Sequence, residues 1–155
     1  MKTWIQNHLT EIILILAFLA LVFVIAAVFQ HTAPAAAGAE PSTLHPQIST
    51  LLSALEQVES AGNPDAIGDH GRSLGPLQIT RPYWLDAGMP GHYDQVRDPR
   101  YARLTVIRYW RRYCPQALAC ADLQTLARTH NGGPNGPRKR ATLNYWRRVQ
   151  AAMHR

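Results

Sequence analysis

Residues 58–79 read VESAGNPDAIGDHGRSLGPLQI, and they connect two different kinds of sequence. Val58 is the last of a series of apolar residues that recur every three or four positions, which is the spacing of one helix face. This series contains Leu44, Ile48, Leu51, Leu52, Leu55 and Val58. The Gly and Pro of the sequence AGNP at 61–64 end the predicted helix, and Glu59 lies in its last turn. Residues 65–80 are rich in Gly, Pro and Asp, which predicts two or three short strands or turns.

Three more helices are predicted on the C-terminal side of this stretch. Asp98 and Pro99 supply an N-cap and a first-turn proline for a helix that continues to about Tyr113. Asp122 caps a helix over 123–130, and Pro137 opens the last helix. The predicted buried positions are Tyr101, Leu104, Val106, Ile107 and Trp110 in the first of these helices; Leu143, Trp146, Val149, Gln150 and Met153 share one face of the last. The pattern predicts an α+β domain that is mainly α-helical, with a small irregular β lobe.

An uncharged apolar segment occupies residues 12–29, near the N-terminus. It reaches the length of about 18 residues that spans a bilayer core and exceeds the apolar region of an ordinary signal peptide. We expect a single-pass membrane anchor. The alternative is a cleaved signal, since Ala35-Ala36-Ala37-Gly38 offers a small-residue cleavage site. Both interpretations export the rest of the chain.

The anchor divides the chain into four segments. Residues 1–11 form a short cytoplasmic segment, 12–29 the transmembrane helix, 30–43 a flexible Ala- and Pro-rich linker, and 44–155 the folded domain. Lys2 precedes the apolar segment, and no Lys or Arg lies between Gln30 and Gly71. The positive-inside rule therefore predicts a protein of the cytoplasmic (inner) membrane whose domain faces the periplasm or the cell exterior. Cleavage and secretion remain the alternative.

Composition and charge exclude several classes of protein. With 155 residues and 2 Cys, the chain is neither a multidomain machine nor a disulfide-knot toxin. The net charge is +6, and basic residues cluster at 108–112, 138–140 and 147–148. Nucleic acid is a poor partner for an exported domain, whereas anionic wall polymers and lipid headgroups suit such clusters. We therefore predict no nucleic-acid partner.

The two cysteines, Cys114 and Cys120, would lie in an oxidising compartment after export. Their short separation favours a local disulfide in a turn over the alternative, two free thiols. Neither cysteine belongs to a CxxC sequence, and the 7 His are scattered along the chain. The sequence therefore predicts no metal site and no cofactor.

Two of the 10 carboxylates suggest chemistry. Glu59 ends an apolar helix, where one side of its carboxyl group can be shielded from water, which favours the protonated form of a general acid. Asp69 follows ten residues later in a polar turn segment. Glycoside hydrolysis uses such a pair, one carboxyl group to protonate the leaving oxygen and one to stabilise or attack the sugar. A solvated helix-end residue is the alternative for Glu59.

Four groups of residues carry a resemblance to a known family. The segment VES at 58–60 with NP at 63–64 and GRSLGPLQI at 71–79 resembles the catalytic segment of the lysozyme superfamily. Three others resemble the invertebrate-type, or destabilase-like, lysozymes: YWLDAG at 83–88, VIRYWRRY at 106–113 and ARTHNGGPNG at 127–136. Their order and approximate spacing agree with that family over about residues 50–137. The resemblance implies a lysozyme-like domain over 44–155.

The resemblance also implies roles for individual residues. Glu59 matches the general acid of the family, and Asp69 most nearly matches its second carboxylate. The segments that flank Asp69 are slightly shorter than in the family, so Asp65 remains a rival for the second role. The implied substrate-binding residues are Ser73, Gln78, Tyr83, His130 and Asn131. Ser73 stands where family members carry a serine that orients the second acid or a water.

The implied activity is hydrolysis of the β-1,4 bond between N-acetylmuramic acid and N-acetylglucosamine in peptidoglycan. A lytic transglycosylase is the nearest alternative, because it cleaves the same bond with a single catalytic Glu and leaves an anhydro ring. A catalytically inactive peptidoglycan-binding module is a second alternative. The chain has fewer cysteines than the family usually has. In this respect it resembles a bacterial or phage relative. Such a protein would act on glycan strands, within a cell-wall-spanning or lysis apparatus.

Overall fold

The computed structural model describes residues 45–154, and they form six helices around a small sheet. The helices are α1 (Pro46–Ser60), α2 (Arg81–Asp86), α3 (Pro99–Tyr113), α4 (Pro115–Ala119), α5 (Leu123–Gly132) and α6 (Thr142–Met153). Among the described residues, no helix has the length and apolar character needed to cross a bilayer. The predicted cytoplasmic segment, anchor and linker at 1–43 lie outside these residues.

The segment between α1 and α2 contains the predicted short strands. These are β1 (Ile67–Gly68), β2 (Ser73–Leu74) and β3 (Ile79–Thr80), which form an antiparallel sheet in the order β1-β2-β3. Leu74 pairs with Ile67 on one side and with Ile79 on the other. Three turns of 3₁₀ helix, at Asp69–Gly71, Tyr93–Arg97 and Gly136–Arg138, complete the connections. The domain is therefore mainly helical with a small three-stranded sheet, as the sequence predicts.

The helices bury the apolar positions that the sequence repeats at helical spacing. Helix α1 packs against α6 and α5, and α3 packs against α2, α4 and α5. Ile48, Leu51 and Leu55 of α1 have no exposed surface. Trp110 of α3 is also fully buried, and its indole N–H donates to the carbonyl oxygen of Leu126 at 3.0 Å. This hydrogen bond satisfies the polar atom of the largest buried side chain.

Side-chain caps set the beginnings of two helices where they are predicted. Asp98 accepts a hydrogen bond from the Tyr101 backbone N–H at 2.8 Å, and Pro99 is the first residue of α3. Asp122 accepts from the Thr125 N–H at 3.1 Å at the start of α5. These contacts satisfy N–H groups that have no partner within the helix. Both predicted starts are confirmed.

The structure corrects several predicted details. Leu104 is 47% exposed, because it lies on the outer side of α3, and Gln150 on α6 is also exposed. Pro137 begins only a 3₁₀ turn, and the last helix starts at Thr142. Helices α2 and α4 were not predicted, since each has six residues or fewer and offers too little periodicity to recognise.

The predicted disulfide is absent, because Cys114 and Cys120 are both free thiols. The five-residue helix α4 lies between them, where the prediction requires a turn. The Cys120 thiol donates instead to the carbonyl oxygen of Ala117 at 3.8 Å. Cys114 is half-buried, and this burial raises the pKa of its thiol. Cys114 therefore behaves as a small buried side chain.

Candidate active site

A cavity of about 460 Å³ is lined by the end of α1, the small sheet, α2 and the end of α5. All of the catalytic and substrate-binding residues predicted from the sequence line it: Glu59, Asp69, Ser73, Gln78, Tyr83, His130 and Asn131. Asp65 does not contribute to the lining. Its side chain is 88% exposed and lies 3.9 Å from the guanidinium group of Arg97. Asp69, and not Asp65, therefore shares a cavity with Glu59.

Glu59 lies in the last turn of α1, and two other helices hold its carboxyl group. The helix ends immediately afterwards, because Ala61 adopts a left-handed conformation with φ of 56°. The Tyr145 hydroxyl of α6 donates to Glu59 Oε1 at 2.6 Å. His130 Nε2 of α5 lies 3.7 Å from the same oxygen. The Glu59 side chain is 20% exposed, so its carboxyl group still reaches the cavity.

Tyr145 and His130 are both neutral partners of Glu59. Burial, followed by the charge of Glu59, raises the pKa of Tyr145, which keeps its hydroxyl proton available to donate. Burial lowers the pKa of His130, although Glu59 and a hydrogen bond with the Leu77 backbone oppose this shift. The lowered pKa favours the neutral imidazole in this contact near neutral pH.

Tyr83 holds the other side of His130. Its hydroxyl lies 3.2 Å from His130 Nδ1, and its ring stacks on Tyr109 of α3 with centroids 3.7 Å apart. Burial raises the pKa of Tyr83 well above its usual value and that of Tyr109 to about 12. These contacts fix the imidazole between Tyr83 and Glu59. The stacked pair of tyrosine rings therefore lies behind the imidazole that contacts the Glu59 carboxyl group.

Asp69 lies in the turn between β1 and β2, which forms another part of the cavity wall. It has a φ of 49°, in the left-handed region that Asp tolerates better than most residues. Arg72 supports this turn, because its Nε donates to the Asp69 carbonyl oxygen at 2.9 Å. Asp69 is exposed to solvent, whereas Glu59 is partly shielded. Two carboxyl groups in such different environments can divide the acid and nucleophile roles.

In the structure, Ser73 supports Gln78. Ser73 is 2% exposed, and its hydroxyl donates to Gln78 Oε1 at 2.9 Å. Gln78 Nε2 donates to the Gly75 carbonyl oxygen at 2.9 Å. A Cβ atom at Gly68 would lie 2.0 Å from Gln78 Oε1, so a larger residue there would push the Gln78 amide out of this position. Gln78 is therefore a fixed amide at the cavity wall.

Sequence reasoning missed several residues of the site, and three of them have functional side chains: Tyr109, Asp86 and Tyr145. Tyr109 and Asp86 line the cavity, and Tyr145 contacts Glu59 from behind it. Tyr145 shares a buried helix face with Thr142 and Val149, at spacings of three and four residues. That spacing is a usable signal, although the apolar pattern of the sequence favours the face centred on Trp146. Within residues 45–154, no group of three His, Cys, Asp or Glu side chains is arranged to hold a metal ion.

The chain is similar in sequence to known lysozymes. The chain is 37% identical to a lysozyme of Magallana gigas over 107 residues, which cover 65% of the chain and 77% of the relative. It is 31% identical over 116 residues to invertebrate-type lysozyme 6 of Caenorhabditis elegans, and the match covers 66% and 84% of the two chains. The chain belongs to the invertebrate-type lysozyme family. No family model matches it.

A solved structure shows that the similarity extends to the fold. The crystal structure of Tapes japonica lysozyme is 34% identical, with a TM-score of 0.58, and the match covers 65% of this chain and 86% of that one. The match covers a smaller share of some relatives. The chain spans 56% of lysozyme 1 of Crassostrea virginica and 66% of a lysozyme of Meretrix lusoria, both 40% identical over the matched residues.

Proposed function

We propose that the protein is a muramidase that hydrolyses the β-1,4 bond between N-acetylmuramic acid and N-acetylglucosamine in peptidoglycan. The observation that carries this proposal is the shared cavity of Glu59 and Asp69, one carboxyl group partly shielded and the other exposed. Membership of the invertebrate-type lysozyme family supports the same substrate class.

In the proposed reaction, Glu59 is the general acid and base. Its carboxyl proton passes to the glycosidic oxygen as the bond to the sugar C1 breaks, and Asp69 bonds to C1 or stabilises its positive charge. Glu59, now ionised, removes a proton from a water molecule, and that water attacks C1 and releases Asp69. The hydrogen bond from Tyr145 and the contact with His130 keep the carboxyl group in one orientation throughout.

The remaining lining residues suit a sugar strand. Gln78 presents an amide held by Ser73 and Gly75, and Asn131 presents a second amide at the end of α5. Tyr83, which is stacked on the buried ring of Tyr109, adds an aromatic ring. Sugars offer both hydroxyl groups and apolar C–H faces, so amides and aromatic rings together match them. We expect these residues to bind the sugars on either side of the scissile bond.

Mass spectrometry of the fragments released from purified peptidoglycan tests the proposal. The full chain in detergent is compared with the Glu59→Gln and Asp69→Asn variants. We expect fragments with free reducing ends, and a loss of rate of about a hundredfold or more in the Glu59→Gln variant. Fragments one water lighter, with anhydro ends, would indicate a lytic transglycosylase and leave Asp69 without a chemical role. No Glu59-dependent fragment would indicate a binding module.

We also propose that the apolar segment at 12–29 tethers this domain to the outer face of the cytoplasmic membrane. Its length and lack of charge support a bilayer span, and the position of Lys2 supports export of the domain. Peptidoglycan would then be within reach of the tethered domain, as a muramidase requires. Extraction of membranes at alkaline pH tests the anchor. The protein should stay in the lipid fraction, and deletion of 12–29 should release it. Release of a shorter protein into the medium would support the cleaved signal.

A further inference from the structure

A second cavity, of about 520 Å³, adjoins the catalytic cavity on the side of Asp69. It shares Asp69, Thr80 and Pro82 with the catalytic cavity and continues along Arg72, Arg81 and Tyr93. We call this second cavity the arginine cleft. Gln78 and Glu59 of the catalytic cavity belong to the family motifs and have roles in the proposed hydrolysis. No step of that hydrolysis uses Arg72 or Arg81.

The tyrosine and the turn hold this cleft in shape. Tyr93 donates its hydroxyl hydrogen to the Ile79 carbonyl oxygen at 2.6 Å, and the same hydroxyl lies 3.2 Å from the Arg72 carbonyl oxygen. The Arg81 guanidinium lies over the Tyr93 ring, 5.9 Å from its centroid. Arg72 uses its Nε on the Asp69 backbone. Both guanidinium groups are therefore positioned from one side by local contacts.

The residues that line the cleft carry more positive than negative charge. Two guanidinium groups stand against a single carboxylate, that of Asp69, at the junction of the two cavities. Within residues 45–154, neither Arg72 nor Arg81 forms an ion pair with a carboxylate. Both side chains are exposed and present N–H donors in the planar arrangement that matches a carboxylate.

We propose that the arginine cleft binds the carboxylates of the peptidoglycan stem peptide and selects strands that carry them. This inference rests on the proposed muramidase function. In peptidoglycan the stem peptide hangs from the lactyl group of N-acetylmuramic acid, the sugar whose C1 reacts. The peptide therefore leaves the glycan strand beside the two carboxyl groups of the site, where the cleft begins at Asp69. Its free carboxylates match the two guanidinium groups in charge and shape.

The test compares two forms of one substrate. Uncross-linked peptidoglycan strands, stripped of wall phosphate polymers, are used with their stem carboxylates intact or converted to amides with carbodiimide and ammonia. The value of kcat/KM is measured on both for the full chain in detergent and for Arg81→Ala and Arg72→Ala/Arg81→Ala. Arg111→Ala/Arg140→Ala is the matched control, because it removes the same charge from exposed residues that line neither cavity.

We expect the wild-type chain to prefer the carboxylate-bearing strand by about tenfold, the size of one well-formed charge-assisted contact. Added salt should reduce this preference, because both arginines are exposed. The preference should fall to about threefold in Arg81→Ala and nearly vanish in the double variant, and the control should keep it. The ratio between the two strands isolates binding of the carboxylate, because any disturbance of the Asp69 turn by loss of Arg72 lowers both rates together.

Equal rates on the two strands for the wild-type chain would overturn the inference while leaving the muramidase proposal intact. An equal loss of preference in the control would overturn it too, because a diffuse surface charge would then be responsible. Absence of Glu59-dependent cleavage of either strand would instead contradict the muramidase proposal. Co-sedimentation of the same variants with the two strands repeats the comparison without catalysis, so the carboxylate preference is measured in that case as well.

Discussion

Replacing Tyr145 by Phe removes one hydrogen bond from Glu59 and almost nothing else. The Tyr145 hydroxyl donates to Glu59 Oε1 at 2.6 Å, a short distance typical of a hydrogen bond to a carboxylate. Phe keeps the aromatic ring, which is buried, and keeps its contact with Arg148, whose guanidinium carbon lies 5.5 Å from the ring centroid. Burial raises the pKa of Tyr145, so the wild-type hydroxyl keeps its proton and remains a donor.

The expected magnitude follows from the geometry around Glu59. A hydrogen bond to a charged group contributes about 1.5–3 kcal/mol to stability. Glu59 is 20% exposed, so water can partly replace the lost donor, and we expect the lower end of this range, about 1.5 kcal/mol. His130, 3.7 Å away, would be the remaining side-chain contact of Oε1. A misaligned acid that costs the same free energy in the transition state lowers kcat about tenfold.

The assay separates kcat from KM on soluble peptidoglycan fragments. Tyr145 does not line the cavity, so KM should stay constant while kcat falls. Tyr101→Phe is the matched control, because it removes a hydroxyl that accepts from the Trp84 indole at 2.9 Å and donates to the Pro90 carbonyl oxygen, outside the cavity. The control should lose stability but retain kcat.

A Tyr145→Phe protein that loses stability yet keeps kcat within twofold of the wild type would refute this reasoning. The hydrogen bond would then be structural, and the orientation of Glu59 would be set by α1 alone. A rise in KM with unchanged kcat would also refute it, because the tyrosine would then act on substrate binding.

Two further predictions concern stability. Burial lowers the pKa of His130, so near and below the ordinary histidine pKa of about 6.5 the unfolded chain binds more protons than the folded one, and the free energy of unfolding should fall as the pH drops from about 7 to 5. In chemical denaturation, the His130→Gln variant should lessen this fall, whereas His154→Gln, at an exposed position, should not. A Cβ atom at Gly136 would lie 1.9 Å from the Arg128 carbonyl oxygen, and a backbone oxygen cannot move aside as a side chain does. Gly136→Ala should therefore cost about 1–3 kcal/mol in the same measurement, and a smaller cost than that would show that the connection before α6 is loosely packed.

The candidate site was largely predictable from the sequence because its residues lie in short motifs with fixed spacing. Glu59, Gln78 and His130 each belong to a group of consecutive residues that resembles the family, and all three line one cavity. The choice between Asp69 and Asp65 was not settled by those motifs, because a turn of a few residues can direct either side chain toward the cleft. In the structure, Asp69 lines the cavity with Glu59, whereas Asp65 does not line it and lies near Arg97.

The sequence alone was sufficient for the helix starts at Asp98 and Asp122, the end of α1 and the small β lobe. Each of these depends on contacts between residues close together in the chain, which a local pattern contains. The partners of Glu59 depend on the packing of three helices, and Tyr145 lies 86 residues from the carboxyl group that it holds. In the arginine cleft, Tyr93 likewise contacts β3 and the backbone of Arg72 across 14 and 21 residues of sequence. Such arrangements follow from how separate elements pack together, so the tertiary structure was needed to find them.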